Sequence, residues 1–140
     1  MATHAETVAG LREFVERLQR DIAGADPAAV IGIYDLGSES WIIEPSPDRP
    51  EPPEDFGPDG LVGRIYGSDF LLSGDDPAEF LAHLADRVQD DVIDELGRSW
   101  PDVEHDGRTV HLEPVVQHGV AAWGYRGQPV RAIGELNATL

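Results

Sequence analysis

Four carboxylates in the C-terminal third have spacing that could hold a cation. Asp102, Glu104 and Asp106 alternate, Gly107 follows, and Glu113 closes the run after five more residues. This D-x-E-x-D-G-x5-E pattern is close to the calcium-loop template. There, alternate oxygens wrap the ion, Gly makes the sharp turn and a final Glu closes the shell. Three features oppose that reading. Glu104 stands where a shorter Asp or Asn is expected, Pro114 and strand-like sequence follow in place of the exiting helix, and Trp100-Pro101 cuts the entering helix short. The segment therefore reads as an acidic turn leading into a strand, and no metal or other cofactor is expected. His105, His111 and His118 lie six and seven residues apart, which fits no compact zinc-ligand pattern. With Gly107 between them, His105 and His111 are not expected to share a face. His4 and His83 have no partner group visible in the sequence. His105, His111 and His118 read as scattered surface histidines.

A second constellation is helical. Glu79, His83, Asp86, Asp90 and Asp94 fall within one narrow sector at 100° per residue, opposite Leu84, Val88 and Val92. Arg87 and Arg98 are the bases that offset them. Carboxylates repeated at i,i+4 repel by a few tenths of a kcal/mol per pair. Charge on a helix face commonly means solvation, and the alternative is a docking surface for an Arg-rich partner or a phosphate mimic for a nucleic-acid-binding protein. Glu79, Asp86, Asp90 and Asp94 are the candidate partner-binding residues. Catalytic patterns are poor. None of the six serines sits in G-x-S-x-G, and no Ser-His-Asp grouping can be read from spacing. Gly57-Pro58-Asp59-Gly60 is too acidic and too rigid to cradle a phosphate. Carboxylates are so abundant that no acid–base pair stands out. Trp41, Trp100 and Trp123 read as packing residues.

Composition narrows the chemistry further. The 140 residues hold 27 acids and 10 bases, a net charge of −17; every base is Arg, and Lys and Cys are absent. Cysteine nucleophiles, disulfides and cysteine metal sites are excluded, as are Schiff-base and Walker-type lysines. The acidity is graded: −9 over residues 1–60, −6 over 61–100 and −2 over 101–140. Such a chain repels DNA and anionic membranes. Residues 1–20 carry Glu6, Glu13 and Glu16 with no apolar run, and no stretch reaches 18 apolar residues. Neither a signal peptide nor a membrane span is expected, and the expected location is cytoplasmic. Arg without Lys, with abundant Ala and Gly, indicates GC-rich bacterial coding.

The elements that must position these residues follow from periodicity and caps. Thr3 and Glu6 form a capping box. Val8, Leu11, Val15, Leu18 and Ile22 then repeat at helical spacing, with Phe14 widening the stripe and Gly24 as the stop. Glu13–Arg17 and Glu16–Arg20 are i,i+4 pairs in the favourable order. A hairpin spans 29–44, turning at Asp35-Leu36-Gly37-Ser38. Residues 45–60 hold six prolines and five acids, which predicts an extended loop. Strands resume at Leu61–Tyr66 and Asp69–Leu72. The second helix opens at Asp76 with Pro77 at its first position and Glu79 completing a capping box, and it ends at Gly97. Three strands follow near 108–116, 120–125 and 128–133. The expectation is one α+β domain over 1–140, an antiparallel or mixed sheet of short strands against two amphipathic helices, with a β-hairpin tail at 101–140.

The tail also carries a likeness. Trp100-Pro101, Leu112-Glu113-Pro114, Val120-Ala121-Ala122-Trp123 and Ile133-Gly134-Glu135-Leu136 resemble the end of a group of small uncharacterised actinobacterial proteins. In that group the same frame carries Cys and His in a zinc-ribbon-like hairpin. The resemblance covers about 40 residues. It implies a hairpin tail packed on the second helix, with Cys positions near Val103 and Tyr125. Neither is Cys here, so the resemblance implies a lost metal site, and it implies no activity. The functional expectation is a small acidic binding module of inhibitor, immunity or accessory type engaging a basic protein through acidic surface on the second helix or the 45–60 loop. The alternative is a small enzyme or ligand-binding domain with a carboxylate-lined cleft.

Overall fold

The computed structural model of the chain describes residues 4–45, 50–73 and 76–137. Helix α1 spans His4–Ala23 and helix α2 spans Pro77–Leu96. Strands β1 (Gly32–Asp35), β2 (Ser40–Ile43), β3 (Leu61–Ile65) and β4 (Ser68–Leu71) lie between the helices. Strands β5 (Asp102–His105), β6 (Arg108–His111), β7 (Glu113–Gln117), β8 (Val120–Tyr125) and β9 (Gln128–Ala132) follow them. The class is α+β. In place of one sheet the described residues form three, all antiparallel: β2-β1-β3-β4, β5-β6 and β7-β8-β9. The expected hairpin tail is thus a two-stranded hairpin followed by a three-stranded meander.

Turn chemistry explains the registers. Tyr66-Gly67, Asp106-Gly107, His118-Gly119 and Arg126-Gly127 each join two strands, and every one of these eight residues has positive φ. That is the type I′ pattern whose twist matches paired strands, with Gly at the second position. The Asp106-Gly107 turn pairs strand β5 with β6, so the expected acidic turn before residue 108 is instead a strand and a tight turn. Leu112, between β6 and β7, ends one sheet before the next begins, so the expected strand over 108–116 is two strands.

Helix α2 follows its caps. Asp76 is extended and its carboxylate accepts from Glu79 N at 3.0 Å, while Gly97 sits at φ 68° with its N–H on Ile93 O. Helix α1 begins beyond Thr3, which lies outside the described residues, as do residues 46–49 of the expected loop. Gly24 is not a left-handed stop. Instead, Asn137 folds over it and donates to Arg20 O at 3.1 Å, and a Cβ at Gly24 would collide with the Asn137 side chain. Residues 50–60 form neither helix nor strand. They fold back on the first sheet, accepting from Trp41 Nε1 at Pro50 O (3.3 Å) and from Arg64 at Glu51 O (2.7 Å).

One core joins the layers. Leu11, Phe14, Leu18 and Ile22 of α1 meet Ile31, Ile33, Ile65 and Phe70 of the first sheet and Leu84, Val88 and Val92 of α2. Trp100 packs edge-on to the fully buried Trp123 at 5.4 Å between centroids. Two buried polar side chains tie the C-terminal sheets to the helices. Asp21 of α1 accepts from Trp123 Nε1 (2.9 Å), Gly134 N (2.7 Å) and Leu136 N (3.0 Å). Gln89 of α2 donates to Trp100 O (3.1 Å) and Leu112 O (2.6 Å).

Candidate functional site

Helix α2 buries Leu84, Ala85, Val88, Gln89 and Val92. Its opposite side carries Glu79, Asp86, Asp90 and Asp94, all exposed, where the helical spacing placed them. His83 stands apart from this ridge. It is half-buried, and its Nδ1 lies 3.0 Å from Ser73 N and 3.1 Å from Ser73 Oγ. The histidine without a visible partner therefore has one, supplied by the segment after β4, while the side chain of His4 is not among those described.

Burial raises the pKa of the Asp86 carboxyl, and repulsion from Asp90 and Glu113 adds to it against the attraction of His83 and Arg87. Asp91, half-buried beside the ridge, is raised for the same leading reason; Arg87 opposes the rise and Asp94 and Asp90 reinforce it. Asp91 Oδ2 and Arg87 Nε are both buried and have no hydrogen-bond partner among the described residues. Arg87 is directed at Phe70, its guanidinium carbon 5.3 Å from the ring centroid. The last turn of α2 holds no base, so Asp94 and Glu95 face the negative end of the helix dipole, an unfavourable placement. Glu113, at the start of β7, extends the acidic field from the sheet side.

The calcium template does not assemble. Asp102 and Glu104 sit on β5, opposite His111 and Thr109 of β6. Asp106 occupies the turn and Glu113 begins a different sheet. A paired hairpin cannot wrap these four carboxylates around one ion. Among the described residues, no three His, Asp or Glu side chains converge as metal ligands. His105 and His111 fall on opposite faces of the hairpin, as Gly107 implied.

The hairpin does create a group that spacing did not reveal. Ser99 Oγ donates to Asp102 Oδ1 at 2.7 Å and lies 2.9 Å from His111 Nδ1, which is 3.3 Å from Asp102 Oδ1. The residue types match a hydrolytic triad, but the wiring does not. A base must hold the nucleophile on one ring nitrogen and its orienting acid on the other. Here both partners meet Nδ1, and Nε2 faces the Gln89 amide nitrogen at 3.4 Å. The group fastens the β5–β6 hairpin to the end of α2. Its one local signal was Ser99 three residues before Asp102; the His111 partnership required the strand register.

Near this group a cavity of about 180 Å³ is bordered by Arg98, Trp100, Asp102 and Asn137. Among the described residues, Asp102 is its single carboxylate. No helix among the described residues is long and apolar enough to cross a membrane. Compared with protein-family models, curated proteins and solved structures, the chain has no match.

Proposed function

We propose that this chain is a protein-binding module of inhibitor, immunity or accessory type that engages a basic partner surface through Glu79, Asp86, Asp90 and Asp94. One observation carries the reading. These carboxylates stand exposed on a helix whose other side is locked in the core, and the nearest base on the helix, Arg87, is directed at Phe70. Repulsion among Asp86, Asp90 and Glu113 is relieved when a cationic surface arrives, so binding recovers a cost held in the free protein. A charge of −17 argues against a direct nucleic-acid or membrane partner. The enzymatic alternative needs a convergent acid–base pair in a cleft. Among the described residues, Asp102 is the one carboxylate bordering the cavity beside the Ser99–Asp102–His111 group, and the wiring of that group is not that of a triad.

The test is affinity capture from the native host at two salt concentrations, comparing the wild type with the Asp86→Asn/Asp90→Asn/Asp94→Asn protein. The expected partner is basic, is lost at high salt and is depleted by the triple substitution. Equal recovery of every captured protein by both baits contradicts the proposal.

A further inference from the structure

A second surface has the opposite character. A groove of about 360 Å³ lies between α1 and the chain entering β1, walled by Val15, Ala23, Val30, Ile31 and Ile43. That volume is at the lower end of the roughly 300–1,000 Å³ range of small-molecule sites. Val15 and Ile31 are buried core residues, whereas Val30 is 45% exposed. One side chain takes up two backbone groups along this wall: Gln19 donates to Ala29 O at 2.5 Å and accepts from Ile31 N at 3.0 Å. What remains is an open apolar trough.

Its rim is cationic. Arg12, Glu16 and Arg20 follow one another at four-residue spacing along α1 and so line one edge. At 1.5 Å per residue, Arg12 and Arg20 are about 12 Å apart along the axis. Both are exposed, and among the described residues neither is in an ion pair, unlike Arg17 with Glu13 and Arg64 with Asp69. In a chain with 27 acids and 10 Arg, a groove whose edge carries two Arg to one Glu reverses the prevailing sign.

We propose that this groove binds an apolar chain ending in a carboxylate, a medium-chain fatty acid. Its hydrocarbon would lie on Val15, Val30, Ile31 and Ile43, and its carboxylate would meet the guanidinium at one end of the groove, Arg12 or Arg20. A planar guanidinium matches a carboxylate in two parallel hydrogen bonds, and the groove's size suits a single chain.

Titration calorimetry and carbonyl NMR of carboxyl-labelled decanoate with the full chain at physiological salt test the assignment, with decanol as the uncharged control. Saturable decanoate binding at submillimolar concentration is expected. One of Arg12→Gln and Arg20→Gln should weaken it about tenfold or more, the scale of a charge-assisted contact, and leave decanol unchanged; the responding variant identifies the carboxylate end. Val30→Trp should fill the trough and abolish binding of both ligands. Val30→Ser, which adds no bulk, should weaken both. The proposal is overturned if the wild type shows no saturable binding of decanoate, if both Arg variants bind it as the wild type does, or if binding survives both changes at Val30.

Discussion

Replacing Asp21 probes the tie between the first helix and the last sheet. The carboxylate is 1% exposed and accepts three donors, all from residues more than 100 positions away in the chain. Asp21→Ala leaves the indole N–H of Trp123, itself fully buried, and the backbone N–H groups of Gly134 and Leu136 without their acceptor. Hydrogen bonds to a charged acceptor are worth about 1.5–3 kcal/mol each. Removing the carboxylate also removes its burial cost, the leading cause of its raised pKa. The net loss should be about 3–4 kcal/mol, a large share of the roughly 5–15 kcal/mol that holds a domain folded. Asp21→Asn keeps the shape and one oxygen but turns an amide N–H₂ toward one donor, so its loss should be smaller, about 1–3 kcal/mol. Urea unfolding followed by tryptophan fluorescence measures both, with an unchanged slope showing that the unfolding unit is the same. A loss below about 1 kcal/mol for Asp21→Ala would refute the reasoning, since no such tie would then exist.

The other expectations concern packing, pH and metal. Gly63→Ala would place a Cβ within 2.6 Å of the Phe70 ring atoms Cε2 and Cζ and should cost about 1–3 kcal/mol. Gly10→Ala meets nothing within 4 Å inside α1 and should gain about 0.5–1 kcal/mol; paired thermal melts check both signs. Asp21, Asp86 and Asp91 have pKa values raised above the ordinary 3.8. Their folded-state penalty is present in full above those raised values and is relieved as pH falls through them toward 3.8. Their linkage contribution therefore makes stability rise on mild acidification, and Asp86→Asn/Asp91→Asn should flatten its dependence on pH. A double variant with the wild-type pH profile contradicts this. Millimolar calcium or a chelator should leave the melting temperature unchanged, because Asp102, Glu104, Asp106 and Glu113 are spread over a hairpin and a second sheet. A rise of several degrees with calcium would contradict that geometry.

Where local chemistry was decisive, the sequence could be read. Asp76, Pro77 and Gly97 mark the ends of α2 because capping is set by the nearest residues, and the 100° spacing placed Asp86, Asp90 and Asp94 on the exposed side. Strand β5 was missed because Pro101 and three acids suggest a turn, although Asp106-Gly107 is itself a hairpin signal. Asp21 and Gln89 show a subtler failure. Asp21 lies three residues after Leu18, and Gln89 four after Ala85 and three before Val92. Both therefore sit inside the apolar stripes, and a polar residue in that position was the available sign of a buried acceptor or donor. Their partners lie in the C-terminal third and depend on long-range packing. The Ser99–Asp102–His111 group depends on strand register in the same way.

We propose that the exposed carboxylates of α2 steer a basic partner. Stopped-flow association of the captured partner, followed across a range of ionic strength, measures steering directly. The wild-type rate should fall steeply with salt. The Asp86→Asn/Asp90→Asn/Asp94→Asn protein, folded and at least as stable, should associate more slowly at low salt and show a shallower slope, while Arg87→Gln and Arg98→Gln should not slow association. A triple variant whose rate and salt dependence match those of the wild type would leave the ridge as a solvated helix face and contradict the account.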